Sequence, residues 1–253
     1  METTKLKDRM ADKLTGLEQA AQSESALSPL SSRYAALSGN ALEIIRDNLK
    51  NQALTLDLFD IVKSPSGGST VFAVPGLSGE DAEKELTGIV LDYTTPRAYW
   101  NTPDPVEGTP PACMSENSII SSDGKACAYC HFNDFGSKDG ETNAKACKES
   151  VLLYLLRPNN ILPLLVRVPV TSKARFLKYT ARLAGALTPV TGVITRITLE
   201  KATSKGGKPY ALFNFEAVGT LSPSEAASAK AYARQFMENV STAAVIPELA
   251  EAS

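Results

Sequence analysis

The sequence predicts an α+β chain, mainly β, built as a small antiparallel barrel with one long loop excursion and helices ahead of it. Three observations carry this. Five or six short apolar runs with strand character follow residue 53, the stretch 94–148 has neither helical nor strand periodicity, and the N-terminal segment repeats its apolar residues at helical spacing.

Taken in order, Leu6, Met10, Leu14, Leu17 and Ala21 recur at steps of three and four with charges between them, predicting an amphipathic helix over 3–22. The Ser/Ala-rich stretch 22–39 reads as linker or weak helix. A second helix is predicted over 40–51, where Leu42, Ile45 and Leu49 share a face. These make a helical segment, 1–52, ahead of a central domain, 53–221. Strands are predicted at 54–62, 70–74 and 86–93, with the turn residues Ser64, Pro65, Ser66, Gly67 and Gly68 between the first two. After the excursion, strands resume at 151–156 and 162–168. A helix follows with Thr171 or Ser172 as cap. Phe176, Thr180, Leu183, Ala184 and Leu187 form its apolar face, and Arg175, Lys178 and Arg182 a basic stripe. Two long alternating strands, 190–200 and 210–218, are joined by a basic hairpin loop containing Gly206 and Gly207. The C-terminal helix and tail, 222–253, begin at Ser222, Pro223, Ser224 and Glu225, where a serine caps and the proline suits the first turn. A helix placed before the last two strands fits the OB-fold, a five-stranded Greek-key barrel; a generic α+β sandwich fits the same string.

Composition is that of a soluble globular protein: 253 residues, 43% apolar and 21% charged. Every apolar run is too short to span a bilayer, and the first thirty residues lack the apolar segment of a signal peptide, so a cytoplasmic, reducing location is expected. The net charge of −2 conceals a basic middle. Residues 125–208 hold 14 Lys/Arg against 5 Asp/Glu, while 1–124 hold 10 against 18 and 209–253 hold 2 against 5. Such an island points to a local polyanion site.

All four cysteines, Cys113, Cys127, Cys130 and Cys147, lie in or at the edge of this excursion. The Cys127-x2-Cys130 pair can aim two thiolates at one ion from a tight turn, and the other two complete a closed tetrahedral site, the form of structural zinc. In a reducing compartment metal is favoured over disulfides, with buried free thiols as the alternative. His131 could replace Cys113 or Cys147, although coordination beside Cys130 is strained. An iron–sulfur cluster has different usual spacings. The excursion has few large apolar side chains, so a metal would supply the order that packing cannot.

Around the cysteines, Arg97, Lys125, Lys138, Lys145 and Lys148 are interleaved with Tyr99, Trp100, Tyr129, Phe132 and Phe135. Cations that follow a phosphate backbone, mixed with rings on which bases stack, suit single-stranded nucleic acid, DNA or RNA. Tyr99 and Trp100 are neighbours, so in a strand only one would face a groove. Lys201, Lys205 and Lys208 add a basic hairpin, which in an OB-fold would be one of the loops that grip an oligonucleotide.

The pieces Arg97-Ala98-Tyr99-Trp100, Pro111-Ala112-Cys113-Met114-Ser115, Cys127-Ala128-Tyr129-Cys130-His131-Phe132-Asn133-Asp134-Phe135-Gly136-Ser137 and Lys145-Ala146-Cys147-Lys148 resemble a group of phage and mobile-element proteins, as do Gly88-Ile89-Val90-Leu91 and Val168-Pro169-Val170-Thr171-Ser172. Those proteins are taken to be zinc-containing single-stranded-DNA-binding proteins. The resemblance covers about residues 86–218. It implies an OB-fold carrying a structural zinc, coating of single-stranded DNA in replication or recombination, and partners among those proteins or a second copy of the chain. In outline the chain is also similar to the single-strand binding proteins of T-even phages, whose zinc takes three cysteines and a histidine where this chain offers four cysteines. The acidic tail common to single-strand binders is weak here, with Glu248 and Glu251 the only charges in the last fifteen residues.

An enzyme is not expected. Gly67-Gly68-Ser69-Thr70 lacks the lysine of a phosphate loop, no G-x-G-x-x-G turn exists, and one histidine leaves little for acid–base work. Asp57 with Asp60, or Asp134 with Asp139, are carboxylate pairs too common to single out a Mg2+ site. The remaining rival is a zinc-stabilised interaction module, an accessory factor in transcription or recombination.

Overall fold

The computed structural model describes residues 33–34, 37, 40–50, 52–102, 109–140, 143–204 and 206–241. The helix expected over 3–22, the tail beyond 241 and Lys205 lie outside the described residues. In chain order the elements are α1 (Ala41–Asn48), β1 (Leu54–Thr55), β2 (Ile61–Val62), β3 (Phe72–Gly76), β4 (Gly79–Glu83), β5 (Glu85–Thr94), β6 (Arg97–Tyr99), β7 (Cys113–Ser115), β8 (Lys148–Leu156), β9 (Leu164–Pro169), α2 (Val170–Gly185), β10 (Val193–Thr203), β11 (Pro209–Thr220), α3 (Pro223–Asn239) and β12 (Val240–Ser241).

The continuous apolar run in β8 organises the rest. Val151, Leu152, Leu153, Tyr154, Leu155 and Leu156 are all buried, at most 1% exposed. Side chains alternate faces along a strand, so a run apolar at every position needs cover on both sides. Val151, Leu153 and Leu155 meet Phe72, Leu86, Val90, Phe176, Ile197 and Phe213 in one core. Leu152, Tyr154 and Leu156 meet Ile45, Phe59, Ile89, Ala229, Tyr232 and Phe236 in the other. Helix α2 and the β3–β4 hairpin cover the first face; α1 and α3 cover the second.

Eight strands form a mainly antiparallel, curled, open sheet in the order β11-β10-β5-β8-β6-β7, with β9 also on β8 and β2 on β9. On one side β8 pairs first with β6 (Arg97↔Glu149, Ala98↔Lys148) and then with β5 (Thr94↔Leu152 to Ile89↔Leu156), so β5 and β6 act as one strand bent at Thr95-Pro96. A closed barrel is not formed among the described residues, because no ladder joins β2 to β11. Strand β2 is two residues long, and the chain then leaves the sheet through a 3-10 turn at Ser66–Gly68. That turn lies on the β10–β11 hairpin: a Cβ on Gly68, whose φ is +70°, would stand 3.1 Å from Pro209 Cβ and 3.2 Å from Tyr210 N. Side-chain packing, including Phe72 edge-on to Phe213 at 5.6 Å, takes the place of closing hydrogen bonds.

Several expected elements change in detail. The strand expected over 54–62 is interrupted by a 3-10 turn at Leu56–Leu58, which lets Leu56 and Phe59 both enter the core. Neither Thr171 nor Ser172 caps α2. The helix starts from an extended Pro169, two residues before Thr171, and the buried Ser172 hydroxyl instead accepts from Phe213 N at 3.0 Å. The buried face of α2 is Ser172, Phe176 and Tyr179, with Leu187 almost fully exposed. Helix α3 follows expectation: Ser222 and Glu225 form a capping box with Pro223 in the first turn.

Candidate metal centre and nucleic-acid interface

The chain from β6 to β8 leaves the sheet and returns beside its starting point, and both outer cysteines are fixed by that geometry. On one side of β6, Tyr99 pairs with Cys113; on the other, Ala98 pairs with Lys148, one residue after Cys147. Cys113 and Cys147 therefore flank Tyr99. The inner pair is delivered from above. A short hairpin closed by the Ile120↔Ala126 bridge leads into a 3-10 turn at Cys127–Tyr129, in which Cys130 N donates to Cys127 O. Cys127 N is tied to Ile119 O at 2.8 Å, and Cys147 N to Phe132 O at 2.8 Å. The second tie draws the last cysteine against the segment that follows Cys130.

All four are free thiols, Cys127 buried and the others half-buried. Burial pushes the Cys113 thiol up, helped by Asp123 and the sulfurs of Cys130 and Cys127 and opposed by a hydrogen bond from Ser121. Cys147 is pushed up to about 11, first by burial, then by the sulfurs of Cys130, Cys113 and Cys127, with Arg97 acting the other way. The four sulfurs thus share one neighbourhood. Among the described residues no three Cys, His, Asp or Glu side chains stand at ligand spacing. The two observations differ in what they require. Thiols that feel each other's charge need only be neighbours, whereas ligands of one tetrahedral ion with Zn–S of about 2.3 Å must close to about 3.8 Å of each other. Neutral thiols have no attraction that would draw them so close. By residue type alone the four cysteines could supply a four-thiolate donor set; His131 is exposed and packs against Phe132 at 3.8 Å.

The residues expected to meet nucleic acid fall into distinct groups. Tyr129 and Phe135 present their rings to solvent, 92% and 76% exposed, and Lys145 Nζ sits 4.4 Å from the Phe135 ring centre. Lys138 is exposed beside them. Tyr99 and Phe132 stack on each other at 3.8 Å and are half-buried, each occupying a face of the other. Lys125 is exposed but paired with Asp123 at 2.6 Å. Lys148 is half-buried, and that burial, with Lys138 nearby, lowers its pKa.

Two expected contacts are corrected. Trp100 is 8% exposed and its indole donates to Thr109 O at 2.9 Å, so it packs the base of the lobe and offers no stacking face. Arg97 is an internal tie, bonded to Glu149 at 3.0 Å and to Asn133, with its side chain 11% exposed. The expected hairpin is present, and Lys201 and Lys208 are exposed on it, but it lies away from the lobe. Ladder β5–β10 ends at Glu85↔Thr198, whereas the lobe grows from Thr94 at the other end of β5. Nine strand steps separate the two ends, about 30 Å. In the basic stripe on α2, Arg175 is bound to Glu200 and Asn214, while Lys178 and Arg182 face solvent.

Sequence reasoning passed over Asn133. Its side-chain oxygen accepts from Arg97 and from Lys145 at 3.0 Å, and its amide donates to Cys127 O at 3.2 Å. An asparagine three residues after the second cysteine of a turn is a recognisable signal, since this turn's backbone needs a partner.

Among the described residues no helix is long and apolar enough to cross a membrane. Comparison with protein-family models, with curated proteins and with solved structures found no match.

Proposed function

We propose that this chain binds single-stranded DNA with little sequence preference, as a coating protein of a phage or mobile element in replication or recombination. In this reading a structural zinc held by Cys113, Cys127, Cys130 and Cys147 shapes the contact lobe, and the curled sheet is an OB-like platform. The observation that carries the reading is the pair of outward rings, Tyr129 and Phe135, set among Lys138 and Lys145 on a lobe with almost no apolar core of its own. Two large aromatic side chains left in water on one small lobe are poorly placed for packing and well placed for stacking bases. Zinc suits four thiolates in a closed site, contributes order and leaves no open position for catalysis.

The test is fluorescence anisotropy with a labelled oligo-dT, competed with RNA and with duplex. Tight, sequence-tolerant binding that weakens steeply with salt and fades for duplex supports the reading; no binding at low salt overturns it. A second reading, an interaction module docking a replication or recombination protein or another copy, is favoured by Ile119 and Ile120, 64% and 48% exposed on the same lobe. It predicts that replacing both isoleucines by serine abolishes partner capture and leaves oligo-dT affinity unchanged.

A further inference from the structure

We propose that the β3–β4 hairpin of one copy of this chain seats its tip, led by Leu77, in a groove beside α3 of a second copy. This goes beyond the nucleic-acid reading and does not depend on it.

The hairpin tip is built unlike a solvent-facing turn. Gly76 and Gly79 are ladder partners, so Leu77 and Ser78 alone make a two-residue loop. Such loops normally hold Gly, Asn or Asp, because the backbone there needs their conformational freedom and the tip faces water. Here the first position is a leucine, fully exposed and the most exposed large apolar side chain among the described residues. Glu80 and Asp81 beside it are exposed too, so the tip is an apolar point on an acidic stem.

The groove has the opposite character. It encloses about 600 Å3 between α3 and the 3-10 turn at Val190–Gly192. Leu91, Val190, Ala233 and Met237 give it an apolar wall. Lys230 and Arg234, one turn apart on α3, line the same groove, face solvent and make no ion pair with any described residue. Of the two carboxylates that also line it, Asp92 already accepts from Tyr93 N at 2.8 Å, and Glu238 follows a turn beyond Arg234. The Lys230–Arg234 stretch is therefore its cationic side. An acid-flanked apolar tip and an apolar groove with unpaired cations are complementary in both respects.

The fold decides whose hairpin can enter. Phe72 and Val74 anchor the hairpin on the first face of the sheet, whereas Leu91 and Ala233 belong to the core on the second. A copy's own hairpin is thus parted from its own groove by the sheet. For the same reason two copies are not placed to exchange hairpins reciprocally. Each contact leaves a free hairpin at one end and a free groove at the other, a head-to-tail arrangement that extends beyond a dimer. One hairpin tip buries far less than a standard interface, so the contact is weak and concentration-dependent.

The test is sedimentation velocity of the full chain, without nucleic acid, over rising protein concentration. The weight-average sedimentation coefficient should climb past that of a dimer. Leu77→Asp alters a side chain that buries nothing within its own copy, so it should fold as the parent does and weaken association at least about tenfold. Glu80→Lys with Asp81→Lys, and separately Lys230→Glu with Arg234→Glu, should each weaken it comparably. An equimolar mixture of these two variants should restore association to within about threefold of the parent, because each hairpin then meets a groove of opposite charge. Leu77→p-benzoylphenylalanine, irradiated in a mixture of 14N and 15N chains, should crosslink to α3 of the other isotope. A parent that stays monomeric, a mixture without rescue, or crosslinks confined to one copy overturns the inference. Association untouched by Leu77→Asp but lost in Ile119→Ser with Ile120→Ser assigns the contact to the lobe and overturns it as well. None of these outcomes bears on oligo-dT binding, which is measured separately.

Discussion

Replacing Tyr129 by alanine should separate binding from stability. The ring is 92% exposed, so its loss removes almost no buried area, and folding stability should stay within about 0.5 kcal/mol of the parent. If it stacks on one base, affinity for oligo-dT should fall by roughly 1–3 kcal/mol, which is about 5- to 150-fold. Phe135→Ala should behave alike, with a further loss of about 0.5–1 kcal/mol from the Lys145 contact 4.4 Å above its ring. The double variant should therefore bind at least about 30-fold more weakly if each ring serves its own base. Trp100→Ala supplies the contrast. That side chain is 8% exposed and hydrogen-bonded, so its loss should cost about 3–5 kcal/mol of stability and act on binding only through folding. Anisotropy titrations at fixed salt, with melting temperatures on the same samples, measure both quantities. A double variant with parental melting temperature and affinity within twofold of the parent would refute the stacking platform.

Purified protein should contain about one zinc per chain, and its removal by chelator, or Cys127→Ser, should erase hydrogen-exchange protection over 113–147 while β8, β10 and β11 keep theirs. Lys138→Ala should lower the salt dependence of oligo-dT binding by about one ion for oligonucleotides of any binding length. Lys208→Ala should do so only for those long enough to reach the hairpin about 30 Å away. Gly88→Ala would place a Cβ 2.4 Å from Leu156 O, a backbone atom that cannot yield without breaking the β5–β8 ladder. The expected cost is about 2–3 kcal/mol, seen as a melting temperature lowered by roughly 5–10 °C. Burial pushes Tyr34, Tyr154 and Tyr232 each up to about 12, so the fold binds protons there that the unfolded chain releases near 10. Stability should be complete below about pH 10 and decline toward pH 12, by on the order of 2 kcal/mol per tyrosine, with phenolate absorbance at 295 nm rising together with unfolding.

The strands that bury both faces were legible because their pattern depends on local side-chain type alone. The expected strand 151–156 and the hairpin 190–200/210–218 match β8, β10 and β11 to within a few residues. The short pairings were not legible. Strand β4, with Glu80 and Asp81 facing water and Glu83 half-buried against Arg157, carries no apolar signal and exists because β3 pairs with it. Strands β6 and β7 are three residues each, below the length at which alternation can be recognised. At the site, spacing alone brought the four cysteines into one reading, and the fold sets them in one neighbourhood. What it could not show was which basic and aromatic side chains are occupied by partners. Arg97 and Trp100 look like Lys138 and Tyr129 in sequence; only the strand register and the returning chain bury the first two.

The lobe is an insertion at the end of a hairpin. Because Ala98 and Lys148 are direct ladder partners, the excursion enters and leaves the sheet one strand spacing apart. A segment with that anatomy can be lifted out as a unit. Joining residue 99 to residue 147 through a two-residue Asn-Gly turn keeps the β6–β8 register of Arg97↔Glu149 and Ala98↔Lys148, and the sheet should then fold without the excursion. The converse also follows: the excursion from Tyr99 to Cys147, set on any antiparallel hairpin of the same register, would carry its rings and its thiols with it. Lobe and sheet are, in this chain, parts joined at one rung.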